Sequence, residues 1–296
     1  MNKYFLQFAA FLARILPAPV RRAFYIFAPL ARLIRVALNR AAPTGLTEVT
    51  VAAGELAGAR LRLDLQLEKD YWLGTYETDL QAAVREFAQP GWVAYDVGAN
   101  IGYITLLLAR AVDEGGQVFS FEALPANLER LRVNVGLNGL GHRVEIIPGA
   151  VAAASAPVRF LVGPSGAMGK AEGSAGRQGG HIESLEVPGI ALDDFIYRDG
   201  NPPPQVIKMD IEGGEVLALR GMPRVLREAR PLILLELHGP EAARVAWETL
   251  TGAGYSLHRM ERGYPSVPSL TDLDWKAYVV ASHKLKSSGD SEICLV

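Results

Sequence analysis

Five apolar runs of strand length, WVAYDVG (92–98), QVFSFEA (117–123), VEIIPGAV (144–151), QVIKMDI (205–211) and LILLELH (232–238), alternate with segments of helical pattern. Strand and helix in alternation are the mark of a parallel α/β sheet with helices on both faces. Helices are expected at 101–111, about 125–138, about 213–228 and about 240–252. Late strands near 255–260 and 277–282 would finish the sheet. Upstream, EVTVAAGELAGARLRLDLQ alternates like a hairpin, with Gly54 and Gly58 in its turn region. YWLGTYETDLQAAVREFA then runs into a helix. The expected organisation is an arm over 1–45, a hairpin and helix over 46–90, a core over 91–285 and a disordered tail over 286–296.

The turn after the first core strand narrows the ligand. Open α/β sheets bind ligands at the carboxyl ends of their strands. Asp96 ends the strand, Gly98 opens the turn and Gly102 begins the next helix. A dinucleotide fingerprint needs glycine where this chain has Asn100, and a small residue where it has Tyr103. Asn100 tolerates a left-handed backbone, so the turn survives. The pattern is acid-x-G-x-N-x-G, with the acid placed where it would repel a pyrophosphate and welcome a cation. S-adenosylmethionine carries an ammonium and a sulfonium and no phosphate. Glu122, ending the second strand, is placed to accept hydrogen bonds from ribose hydroxyls. The glycine-rich stretch GPSGAMGKAEGSAGRQGG (163–180) is not a phosphate loop, since Ala171 follows Gly169-Lys170 and Pro164 occupies the required upstream glycine position. It reads as a flexible surface loop, or as a lid over a substrate pocket.

Charge separates the arm from the body. The chain carries a net charge of −2, which argues against a nucleic-acid partner. Residues 1–47 hold Lys3, Arg14, Arg21, Arg22, Arg32, Arg35 and Arg40 and no acid, so the remainder is strongly acidic. Arg14, Arg21 and Arg22 interrupt any run long enough to span a bilayer. On a helical wheel Val20, Phe24, Phe27, Ile34 and Leu38 lie opposite the arginines, with Pro29 a site for a kink. The pattern suits an interfacial helix on anionic lipid through residues 1–40, or a helix packed on the protein with its basic face in water. A cytoplasmic placement is expected, peripheral on the inner membrane face if the arm binds lipid. The single cysteine, Cys294, excludes a disulfide framework and lies too near the end for prenylation.

YDVGANIGYITLLLA, VFSFEALPANLERLRVNVGLNGL, VIKMDIEGGEVLALRGM and RPLILLELH together resemble the FkbM family of S-adenosylmethionine-dependent methyltransferases. The likeness covers about residues 70–240, and the Lys-x-Asp-x-Glu-Gly block at Lys208, Asp210, Glu212 and Gly213 is its most specific part. It implies a class I methyltransferase, Rossmann-like sheet. It also implies methylation of a hydroxyl on a sugar, glycolipid or other small acceptor. Cofactor contacts carried over are Asp96, Gly98, Asn100, Gly102 and Glu122, with Glu77 in YWLGTYE near the cofactor entrance. Ala123 stands where the family often has proline, which affects only the local turn.

Methyl transfer to an alcohol requires alignment and a base for the hydroxyl proton. Lys208, Asp210 and Glu212 alternate, which puts them on one face if the strand persists. Glu236 and His238 do the same on the neighbouring strand. Asp210 or His238 is the expected base, and Lys208 could hold the acceptor or lower a carboxylate's pKa. The alternatives are a buried ion pair of Lys208 with Glu212 or Glu236, and a divalent metal on Asp210, Glu236 and His238. An NAD(P)-dependent nucleotide-sugar enzyme would need the third glycine and a Tyr-x-x-x-Lys pair, and Tyr103 is followed by Leu107. A catalytically silent protein at a membrane surface is the remaining class. His142, His181, His258 and His283 are expected to be solvated or structural.

Overall fold

The computed structural model describes residues 40–163, 169–175, 180 and 182–283, with positions 11 and 36. The basic arm, His181, Cys294 and the expected tail lie almost wholly outside the described residues. Contacts divide the chain into Met1–Gln81 with Gly136–Asn138, and Ala82–Val135 with Gly139–Val296. In the first unit β1 (Leu46–Thr50) pairs antiparallel with β2 (Arg60–Asp64). Leu61 and Leu63 are buried between exposed Arg60 and Arg62, the period of two that fixes which face points inward. Helix α1 (Lys69–Leu73) stops at Gly74, whose φ of 71° only glycine adopts at little cost. A Cβ there would lie 1.8 Å from the Ala53 carbonyl oxygen. The division after Gln81 falls inside α2 (Thr78–Phe87).

The second unit is built on β3 (Val93–Val97), α3 (Tyr103–Val112), β4 (Gln117–Glu122), α4 (Pro125–Leu137) and β5 (Val144–Pro148). It continues, after an inserted small sheet, through β10 (Val206–Met209), α5 (Glu215–Arg220), α6 (Pro223–Glu228), β11 (Leu232–His238), α7 (Pro240–Gly252), β12 (Ser256–Arg259) and β13 (Lys276–Ser282). The strands lie in the order β12-β13-β11-β10-β3-β4-β5, parallel except for β13, which runs antiparallel to both neighbours. The chain winds outward from β3 to β5, then crosses back to β10. The strand order therefore reverses between β3 and β10, and a crevice opens at their carboxyl ends. All seven residues of β11 are buried, as a strand covered on both faces requires. Helix α3 packs on β3 and β4, and α7 packs on β11, β12 and α5. The core below the crevice is aromatic, with the Phe195 ring edge-on to Tyr95, Phe119 and Phe121 at 5.8, 5.7 and 5.2 Å.

Three local expectations change. The run at 144–151 is two strands, β5 and β6 (Ala150–Val151), parted at Gly149, where a Cβ would meet the Pro188 carbonyl oxygen at 2.7 Å. The helix at 213–228 is two, α5 and α6, because Gly221 sits against the Ala152 carbonyl and Pro223 has no N–H to continue α5. The Asp193 carboxylate accepts from the N–H groups of Arg224 and Val225 and so caps α6. Part of the glycine-rich stretch is not loop but strand. Strands β7 (Pro157–Val162), β8 (Gly169–Ala171) and β9 (Glu183–Ile190) join β6 in a sheet of order β6-β9-β7-β8. Phe160, Val162, Ala171 and Val187 give it a small core shared with Leu124.

Candidate active site

The turn after β3 is pinned onto β4. The N–H groups of Gly98 and Ala99 both donate to the Phe121 carbonyl, at 3.0 and 2.9 Å. Gly98, Asn100 and Gly102 all have positive φ, and the glycines are required by protein contacts. A Cβ on Gly98 would lie 2.0 Å from the Asp210 carbonyl oxygen, and one on Gly102 would lie 2.6 Å from the Leu131 side chain. Gly98→Ala should therefore cost more than about 1 kcal/mol, read as a lower urea midpoint; an unchanged midpoint would mean that this turn rearranges freely.

Glu122 closes the turn from β4. Its Oε2 accepts from Asn100 N–H at 2.7 Å and its Oε1 from Leu124 N–H at 2.8 Å. Burial raises the Glu122 pKa, and the hydrogen bonds from Leu124, Asn100, Ala123 and Asn127 offset only part of the rise.

Asp96 does not present its charge to the crevice. Its side chain is wholly buried, 3.3 Å from the Lys208 ammonium and 2.7 Å from the Thr105 hydroxyl, which donates to it. Lys208 also donates to the Gly98 carbonyl at 2.8 Å. The parallel register sets Lys208 directly beside Asp96. Lys208 thus pairs with Asp96, and not with Glu212 or Glu236 as the alternative reading had it. Because β10 stops at Met209, the alternation expected to align Lys208, Asp210 and Glu212 on one face does not continue.

Asp210, Glu212, Glu236 and His238 do come together. His238 Nε2 lies 3.0 Å from Glu236 Oε1, 3.7 Å from Glu212 Oε2 and 3.9 Å from Asp210 Oδ1. Two further residues, not foreseen from the sequence, complete the cluster. Glu215, fully buried at the start of α5, accepts from the N–H groups of Ile211 and Gly213 and lies 3.5 Å from His238 Nδ1. Lys276, opposite His238 in the register, pairs its ammonium with Glu236. Burial disfavours a charged His238 ring, but the carboxylates of Glu215, Glu236 and Asp210 outweigh it and push its pKa up to about 10. Burial likewise opposes ionisation of Glu236, yet His238 and Lys276 hold its pKa below the usual range. Among the carboxylates of the cluster, Asp210 and Glu212 are the ones that reach solvent, with side chains 22% and 47% exposed.

The small sheet reaches the same loop. Ala175 N–H donates to the Gly213 carbonyl at 2.9 Å, and the buried Lys170 donates to the Ala175 carbonyl at 2.7 Å. Glu77 belongs to the first unit, where its carbonyl accepts from Gln81 N–H. Of the other histidines, His142 is exposed on a turn, His258 is bonded to the Tyr264 carbonyl and His283 packs on the Tyr255 ring.

Read from β5 across to β12, the large sheet follows chain order 3-2-1-4-5-7-6 with the seventh strand reversed. With the acid-bearing turn after the first strand and an acid ending the second, this defines a class I methyltransferase. The profile of the methyltransferase FkbM domain matches residues 96–259, more than half of the chain, and the protein belongs to that family. It is an S-adenosylmethionine-dependent methyltransferase, and the nicotinamide and silent-fold alternatives are set aside. The chain is 27% identical over 192 residues to the hexuronic acid methyltransferase AglP of Haloferax volcanii, covering 62% of this chain and 73% of that one. It is 41% identical over 61 residues to a protein-L-isoaspartate O-methyltransferase of Aeropyrum pernix, a match to 21% of this chain and 24% of that one. Among solved structures it is similar to the methyltransferase FkbM of Methylobacillus flagellatus KT. That match has 18% identity and a TM-score of 0.42, over 73% of this chain and 53% of the other. Among the described residues no helix is long and apolar enough to cross a membrane.

Proposed function

We propose that the protein methylates a hydroxyl oxygen of a sugar, glycolipid or similar small polar acceptor. The observation that carries this reading is the gathering of Asp210, Glu236 and His238 at the carboxyl ends of β10 and β11, beside the Gly98–Gly102 turn. The Haloferax relative, a hexuronic acid methyltransferase, favours a saccharide.

S-adenosylmethionine, when bound, supplies a methyl carbon already activated by its sulfonium. The turn fits such a cofactor. Glu122 stands at the end of β4 with its two oxygens held by the N–H groups of Asn100 and Leu124, and a ribose diol would add its own donors to that carboxylate. Gly98, Asn100 and Gly102 give that diol and its adenosine a backbone wall. Asp96 acts from beneath, locking the strand end through Lys208 and Thr105. Asp210 takes the acceptor's proton, since its carboxylate reaches solvent while His238 is committed to its neighbours. Glu236 and Lys276 hold the His238 ring in place.

The test is incubation with S-adenosylmethionine and a panel of glycosides that includes uronic acids, with the new methyl located by NMR. Transfer to a hydroxyl oxygen is expected. Transfer to nitrogen or carboxylate oxygen instead would overturn the hydroxyl reading. Affinity for S-adenosylhomocysteine should also fall in acid, as Glu122 protonates and loses acceptor capacity. Because its pKa is raised, the fall should begin above the usual glutamate range. Titration calorimetry against pH checks this, and Glu122→Gln should be weak and nearly pH-independent. A wild-type fall confined to the ordinary range would remove Glu122 from the cofactor site.

A further inference from the structure

We propose that Lys170 is a positioning residue for methyl transfer, holding the loop that follows Asp210 through the inserted sheet. Its side chain is buried on β8, and its ammonium donates to the Ala175 carbonyl at 2.7 Å. Ala175 is itself buried in the main core, and its N–H donates to the Gly213 carbonyl at 2.9 Å. Ala175 is thus held at its carbonyl by Lys170 and holds Gly213 with its N–H. From the other side the Glu215 carboxylate accepts from the Gly213 N–H at 3.3 Å and from the Ile211 N–H at 3.0 Å. Gly213 is therefore clamped through both its N–H and its carbonyl, just past the proposed base.

The loop needs such a hold. Glu212 has a φ of 55°, a left-handed backbone that a residue other than glycine keeps only where its surroundings impose it. Strand β10 ends at Met209, so the residues after Asp210 rely on loop contacts rather than on a sheet ladder. A lysine is also an expensive residue to place there. Burial works against its charge and prevails over the fields of Glu212 and Glu215, so its pKa lies below the ordinary lysine value. A methionine would fill similar space without burying a charge. What the lysine adds is a donor to Ala175 and a positive field at the two glutamates of the loop. Arg159 of the same sheet, by contrast, is exposed and bonds to Glu172 and Ser184.

This role rests on the reading of Asp210 as the base, and Lys170 acts through the loop rather than on the acceptor. In the wild-type full chain, amide exchange followed by NMR should show the Ala175 N–H protected. Exchange at the rate of an open loop would overturn the clamp, however the variants fold. A double-mutant cycle then follows transfer from S-adenosylmethionine to the fastest glycoside of the panel. Lys170→Met should lower kcat about tenfold or more, with KM for the glycoside and S-adenosylhomocysteine affinity within about twofold. Arg159→Met, on the same sheet, should keep the wild-type kcat. In an Asp210→Asn background Lys170→Met should lower kcat by at most about a further twofold, since the group that it positions is already gone. Full additivity, or a loss confined to KM or cofactor affinity, would overturn the positioning role. Asp210→Asn as fast as wild type would overturn the base reading alone, and faster Ala175 exchange in Lys170→Met would still support the clamp.

Discussion

Lys208→Met should destabilise the protein by about 3–5 kcal/mol, measured as a shift of the urea midpoint without cofactor. The wholly buried Asp96 carboxylate would lose the ammonium 3.3 Å away and keep only the Thr105 hydroxyl. An unpaired buried charge is far costlier than the pair is beneficial, because desolvation is no longer offset. The Gly98 carbonyl would lose its donor as well, loosening the turn. Adding Asp96→Asn should recover part of the loss by removing the stranded charge. A single-variant loss below about 1 kcal/mol would mean that water reaches Asp96 and that the pair is not a fastening.

Asp210→Asn should lower kcat by about 10²–10⁴-fold and leave S-adenosylhomocysteine affinity within about twofold. Asparagine keeps the shape but cannot take a proton. The main-chain ties of Asp210, its N–H donating to the Val97 carbonyl at 3.2 Å and its carbonyl packed on Gly98, remain available to the variant. Steady-state kinetics with saturating cofactor separates the outcomes. A rise in KM with kcat unchanged would make Asp210 a binding contact only. A fall in kcat smaller than about tenfold would pass the proton to Glu212, the other carboxylate of the cluster that reaches solvent.

The parallel strands were legible because burial on both faces leaves a continuous apolar run, as in LILLELH. Helix α7 was legible at both ends, since Gly239-Pro240 opens it and Gly254, at a φ of 87°, follows its last turn. The inserted sheet was not, because β6 and β8 have only two and three residues, and Pro188 and Gly189 interrupt the pattern of β9. The break between α5 and α6 carried a readable signal in Gly221-Met222-Pro223. Among candidate site residues, the places of Glu122, Glu236 and His238 were legible as strand ends. The Asp96–Lys208 partnership did not, because it depends on the register of two strands more than a hundred residues apart. Glu215 looked like an ordinary first-turn acid, and only the fold of the preceding loop turns it inward.

The bond from Ala175 to Gly213 separates what this enzyme can vary from what it must keep. Around Gly98 the nucleoside turn and the transfer loop touch backbone to backbone, so a change in one disturbs the other. The inserted sheet meets the transfer loop through a main-chain bond that is indifferent to side-chain identity. Its apolar core is shared with Leu124, so the exposed strand positions, not Phe160, Val162, Ala171 or Val187, are the ones free to change. Substitutions at exposed positions of β7 to β9 should therefore leave the turn after β3 undisturbed.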